Sequence, residues 1–184
     1  CRSKISFQYF VVELLVALGF LISFHFFGIS ITSLLLFILT IFFVIIFFID
    51  LKHFIIPNEL TFPLMVIGFL KSFDPNLNQY LFPNYFNSLI GGVVGYLIIW
   101  FIIIAYKKLR NKEGMGLGDA KLLSAIGFWF GWISIPFILF FSSFVALGFA
   151  IPSLLNKSKT MSSQIPFGPY LVLGCVLYLV LIEQ

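Results

Sequence analysis

From Leu14 to Ile49 the chain carries no Asp, Glu, Lys or Arg. The second half of that stretch, "ITSLLLFILTIFFVIIFFI" at 31–49, is close to the roughly 20 apolar residues that a helix needs to cross the hydrocarbon of a bilayer. Inside lipid each backbone N–H and C=O must find its partner within the protein, so a single segment of this kind crosses as an α-helix. The run therefore commits the chain to a membrane helical bundle. Composition supports this: 61% of the 184 residues are hydrophobic, 20% are aromatic and only 10% are charged, too little polar surface for a water-soluble domain of this length. No long Ser/Pro-rich linker, low-complexity tract or fixed-period repeat divides the chain, and a single integral membrane domain over 1–184 is expected.

Seven membrane segments are expected: Tyr9 to Phe27, Thr32 to Ile49, Leu60 to Leu70, Ser88 to Tyr106, Ala120 to Ile133, Pro136 to Leu154 and Pro166 to Ile182. The third and fifth are too short for a plain straight span, which marks their starts as places for irregular, water-touched backbone. The net charge of +4 does not form a nucleic-acid groove, because the basic residues lie between apolar runs. Arg2, Lys4, Lys52, Lys107, Lys108, Arg110, Lys112, Lys121, Lys157 and Lys159 fall at one set of alternate connections, and Lys71 alone at the other. The positive-inside rule then places the N-terminus in the cytoplasm and the C-terminus outside.

The same topology sorts the seven acidic residues. Asp74 and Glu183 belong to the outer side, Glu13 lies about a turn into the first span, and Asp50, Glu59, Glu113 and Asp119 lie near the cytoplasmic face. Asp50 ends one apolar run and Asp119 begins another, so two sequence-distant carboxylates reach one membrane depth. Near hydrocarbon an ionised carboxylate costs several kcal/mol unless it is paired, hydrated or protonated. Two placed close together share a proton, and such a pair supplies one group to take a proton from water and one to give a proton to a carbonyl. Singly, each has a plainer reading: Asp119 as a helix N-cap, Asp50 as an interfacial charge that stops a span. The glycines of Gly116-Leu117-Gly118-Asp119 would let the backbone take positive φ or approach another chain closely, although a flexible loop has the same composition.

Five motifs in order then resemble one family, the type IV prepilin peptidases of the GxGD class of membrane aspartic proteases. They are "ISFQYFVVELLVAL" (5–18, with Ile5, Ser6, Tyr9, Glu13, Leu14 and Leu15), "DLKHFIIPNELTFPL" (50–64), "EGMGLGDAKLLSAIGFWFGW" (113–132), "FSSFVALG" (141–148) and "IPFGPYL" (165–171). The resemblance implies an all-α polytopic bundle, Asp50 and Asp119 as catalytic aspartates, and Gly116 and Gly118 as the motif before the second. It also implies an active site facing the cytoplasm at the bacterial plasma (inner) membrane. The substrate class it implies is the prepilin or pseudopilin, cut between a basic leader and a hydrophobic helix, with no cofactor for proteolysis and no nucleic acid as partner. Methylation of the new N-terminus with S-adenosylmethionine as donor is implied for full-length members. The resemblance further implies that the family's first span and cysteine-rich, zinc-suited cytoplasmic domain are missing here, Cys1 standing where the last of those cysteines is expected.

Lys121, two residues after Asp119, is expected either to hold positive charge near the pair or to snorkel to the interface. Pro166, Gly168 and Pro169 restrict the backbone before the last span and are expected to support a substrate cleft, or else to form only a rigid turn. Glu59 and Glu113 are candidates to attract a basic leader. His53 and His25 are taken as interfacial, and Trp100, Trp129 and Trp132 as lipid-facing packing and interface anchors. No metal site is expected, since a structural zinc needs about four ligands and only Cys1 and Cys175 are present as thiols. Two other classes fit the composition: a non-enzymatic proton-coupled transporter or channel using Asp50 and Asp119 as relay carboxylates, and an inactive scaffold of a pilus or secretion assembly.

Overall fold

The computed structural model describes residues 7–78, 81–110, 116–155 and 166–182, and among these the regular structure is entirely helical. Helices α1 (Phe7–Phe27), α2 (Ile31–His53) and α3 (Asn58–Leu70) are followed by a 3-10 turn, Lys71–Phe73, and the one-turn α4 (Pro75–Asn78). Helices α5 (Tyr85–Arg110), α6 (Leu117–Phe130), α7 (Ser134–Leu155) and α8 (Gly168–Ile182) complete the bundle. The seven expected segments correspond to α1, α2, α3, α5, α6, α7 and α8. By length and composition α1, α2 and α5 are able to cross a membrane, and α7 and α8 contain shorter apolar stretches. Cys1, Ile5, Ser6, Glu113 and the basic residues at 2, 4, 112, 157 and 159 lie outside the described residues.

The bundle is built around one of its shorter helices, the 14-residue α6. In α6 Ala120, Leu122, Leu123, Ala125, Ile126 and Trp129 have no solvent exposure, and the helix packs on α5, α3, α8 and α7. The contrast is α1, which packs principally on α2 and has Ser23 as its buried residue. A helix apolar all round suits either a protein core or lipid, and here α6 takes the first environment and α1 is left to the second.

Small residues make the central contact possible. A methyl group added at Gly95 would lie 2.7 Å from the Leu123 carbonyl oxygen, and Gly91 and Gly127 are each placed against the other's backbone. Two hydroxyls cross the same seam: Ser124 Oγ donates to the Gly92 carbonyl at 2.8 Å and Ser88 Oγ to that of Phe128 at 2.6 Å. Close backbone approach with hydroxyl cross-links is the way helices associate where apolar burial provides no preference over lipid.

Helices α3 and α6 run in the same direction, pinned at both ends. Lys121 Nζ meets Asn58 Oδ1 near their starts at 2.6 Å. Toward their ends Trp129 Nε1 donates to the Leu64 carbonyl at 2.8 Å and Lys71 Nζ to the Trp129 carbonyl at 2.8 Å. Trp129 is thus a fully buried crosspiece rather than the lipid-facing anchor expected of it, because its ring fills the space beside Gly68 and its N–H has a carbonyl to reach. Trp100 and Trp132, 36% and 46% exposed, keep the peripheral positions expected of them.

Candidate active site

Asp50 lies in the last turn of α2 and Asp119 is the third residue of α6. Both are buried, at 4% and 7% exposure, and they lie near enough to interact electrostatically. The fold thus brings together at one end of the bundle the two aspartates whose depth matched in the sequence.

Each aspartate is held by local backbone. Helix α2 stops at Phe54, whose left-handed conformation (φ 57, ψ 33) turns its N–H back to the Asp50 carbonyl oxygen at 2.9 Å. A bulky residue with positive φ is uncommon and marks a backbone constrained by its surroundings. Pro57, at φ −65, then caps the start of α3. The chain from Phe54 to Pro57 therefore reverses tightly and carries the buried Ile56 to the aspartates. Asp119 has the place of the acid in a capping box, three residues after the N-cap Gly116, and its carboxylate bonds to the Gly116 backbone. Asp119 is therefore not itself the N-cap.

Asp50 has a second partner from far along the chain. The Gly168 N–H, at the first residue of α8, donates to Asp50 Oδ2 at 3.0 Å in a buried contact. A methyl group at Gly168 would come within 2.6 Å of that oxygen and 2.9 Å of Ile56 Cδ1. On the other side of Ile56, a methyl group at Gly118 would come within 3.0 Å of Ile56 Cβ. Ile56 is thus wedged between the two glycines, with one aspartate beside each.

These contacts revise the expected part of the GxGD glycines. Neither has the positive φ foreseen, since among the described residues the positive-φ glycines are Gly28 and Gly131. Gly116, exposed at φ −84, has room for a side chain: a methyl group there would be 3.8 Å from the Gly118 nitrogen, in ordinary van der Waals contact. Gly118 does make a close approach, but to Ile56 of its own chain.

Lys121 is engaged by a neighbouring helix. Its amine bonds to Asn58 Oδ1, with the Phe62 ring centroid 5.7 Å away. Pro166 is half-buried and non-helical, whereas Pro169 is fully buried in the first turn of α8, where its missing N–H costs nothing. His53 and Glu59 are exposed. Sequence reasoning missed the parts played by Ile56 and Asn58, although both fall in the 50–64 motif. A buried-type aliphatic before the proline that starts a helix was the available signal. No group of three His, Cys, Asp or Glu side chains suited to a metal occurs among the described residues.

A helical membrane-type bundle with two buried, interacting aspartates at the ends of different helices defines a class, the aspartate-paired proteins of the membrane. The profile of the type IV leader peptidase family matches residues 37–151, and the chain belongs to that family. It is similar to the "Prepilin leader peptidase/N-methyltransferase" of Aeromonas salmonicida (strain A449), with 39% identity over 174 residues, which are 95% of this chain and 58% of the relative. The protein of the same name from Xanthomonas campestris pv. campestris is 39% identical over 170 residues (92% and 58%), and that from Pseudomonas aeruginosa is 34% identical over 177 residues (95% and 58%). The chain spans about 58% of the length of these relatives. No solved structure matches it.

Proposed function

We propose that this chain is the peptidase part of a prepilin leader peptidase, an aspartic endopeptidase of the bacterial inner membrane whose site faces the cytoplasm. The carrying observation is the pairing of buried Asp50 and Asp119 in a member of this family. Two like charges in one buried site share a proton. The ionised member takes a proton from water, whose oxygen adds to the scissile carbonyl carbon, while the protonated member gives its proton to the carbonyl oxygen. When the gem-diol intermediate collapses, the C–N bond breaks, the proton taken from water passes to the leaving amine, and a hydroxyl of the diol gives its proton back to the other aspartate as the carbonyl re-forms, which returns the pair to its starting state.

The substrate is a prepilin or pseudopilin with a basic leader ahead of a hydrophobic helix. Behind the pair the buried side chains of α6 are apolar at Leu122, Leu123, Ala125 and Ile126, and the Ser124 hydroxyl among them is taken up by the Gly92 carbonyl, which favours a hydrolytic site over a relay crossing the bundle. Methylation of the new N-terminus, with S-adenosylmethionine as donor, is assigned to the complete protein rather than to any residue set in this chain.

The test is leader cleavage of a prepilin by membranes containing the full-length protein. Asp50→Asn and Asp119→Asn are each expected to lower the rate by about 10²-fold or more, the scale of a lost general acid or base. Unimpaired processing by either variant refutes the pairing.

A further inference from the structure

The opening of α8 bears on the chemistry of Asp50. Asp50 is in the last turn of α2, where the helix presents the negative end of its dipole and a carboxylate is disfavoured. It is also 4% exposed, so water does little to offset this. What meets its Oδ2 is the Gly168 N–H at 3.0 Å, the first N–H of a 15-residue helix and so part of that helix's positive end. The donor and Asp50 are 118 residues apart, and the position admits no side chain, because a Cβ would be 2.6 Å from Oδ2.

We propose that Gly168 is a positioning residue of the active site: its N–H occupies Asp50 Oδ2, steadies the ionised carboxylate, and leaves Oδ1 as the oxygen that exchanges protons with water and Asp119. This rests on the peptidase reading above. It gives "FGP" a chemical role: glycine for the close approach and proline to start the helix that aims the N–H. The ionisable groups around Asp50 are few. Asp119 faces it from α6, and the Lys121 amine is held by Asn58 of α3. Tyr170 follows on α8, Tyr9 and Glu13 of α1 are exposed, and Lys52 and His53 on α2 itself are exposed.

Replacing residue 168 by glycolate in cell-free synthesis of the full-length protein exchanges the N–H for an ester oxygen and adds no side chain. Losing a hydrogen bond to the ionised form makes ionisation harder, so one limb of the pH profile of prepilin cleavage is expected to move upward by about one pH unit. Movement of the acidic limb makes Asp50 the proton acceptor, and movement of the alkaline limb makes it the donor. An unchanged profile overturns the proposal.

A second measurement needs no activity. In the Asp119→Asn background the infrared carboxyl stretch of Asp50, taken as the difference from the double Asp→Asn variant, is titrated with Gly168 and with glycolate. The midpoint is expected to rise by about one pH unit, and equal midpoints overturn the proposal. If Asp50→Asn cleaves normally while the midpoint still moves, the peptidase reading fails and the hydrogen bond stands. If both aspartate variants are inactive and the midpoints coincide, the reverse holds.

Discussion

At residue scale, one bond decides how the start of α3 meets the start of α6. Lys121 sits two residues after Asp119, and Asn58 sits two residues after the Ile56 wedge, so the 2.6 Å contact between them ties the two segments that carry the site. An exposed bond of this kind contributes little to global stability, and its effect belongs to the alignment of Ile56 with Gly118. Lys121→Met and Asn58→Ala are each expected to lower the rate of leader cleavage by about 3- to 10-fold, with the double variant no worse than the more severe single one, because both remove the same contact. A double-mutant cycle on cleavage rate checks this; multiplied defects would mean that the two side chains act separately.

At the scale of the element, α6 depends on a buried amine at the end opposite the aspartates. Lys71, in the 3-10 turn after α3, is 6% exposed. Its Nζ meets the last-turn carbonyl of Trp129 and lies 3.8 Å from the centroid of the Phe82 ring. Both interactions favour positive charge, yet burial pushes the amine down from 10.5 to about 6. Between those two values the unfolded chain binds a proton that the folded chain does not, so stability rises with pH across that window and the cost is fully present below about 6. Thermal unfolding in detergent is expected to show the wild type gaining on Lys71→Met as pH rises from about 6 toward 10.5. Parallel pH dependences would show that this amine does not titrate on unfolding.

At the scale of the whole molecule, the proposed orientation is carried by the distribution of basic residues. Lys108, exposed near the end of α5, and Asn76, exposed in α4, belong to opposite faces in that scheme. With Cys1 changed to serine and Cys175 buried, single cysteines at these positions are expected to differ. Lys108→Cys should react with a membrane-impermeant thiol reagent only in inverted vesicles, and Asn76→Cys only from outside the cell. The opposite pattern would place the aspartates on the outer face.

The chain by itself determined the main helices and which acids stand out. Apolar run length measures a membrane crossing directly, and a carboxylate in such surroundings is costly enough to stand out, so α2, α5, Asp50 and Asp119 were legible one segment at a time. The tertiary structure alone decided what surrounds them. That α6 is central and α1 peripheral does not follow from two comparably apolar segments, since lipid and protein core accept the same side chains. The Gly168 bond to Asp50, the wedge of Ile56 between two glycines and the capture of Lys121 by Asn58 each join parts of the chain separated by dozens of residues. Such contacts depend on the packing of backbones, and periodicity and composition carry no record of which backbones meet.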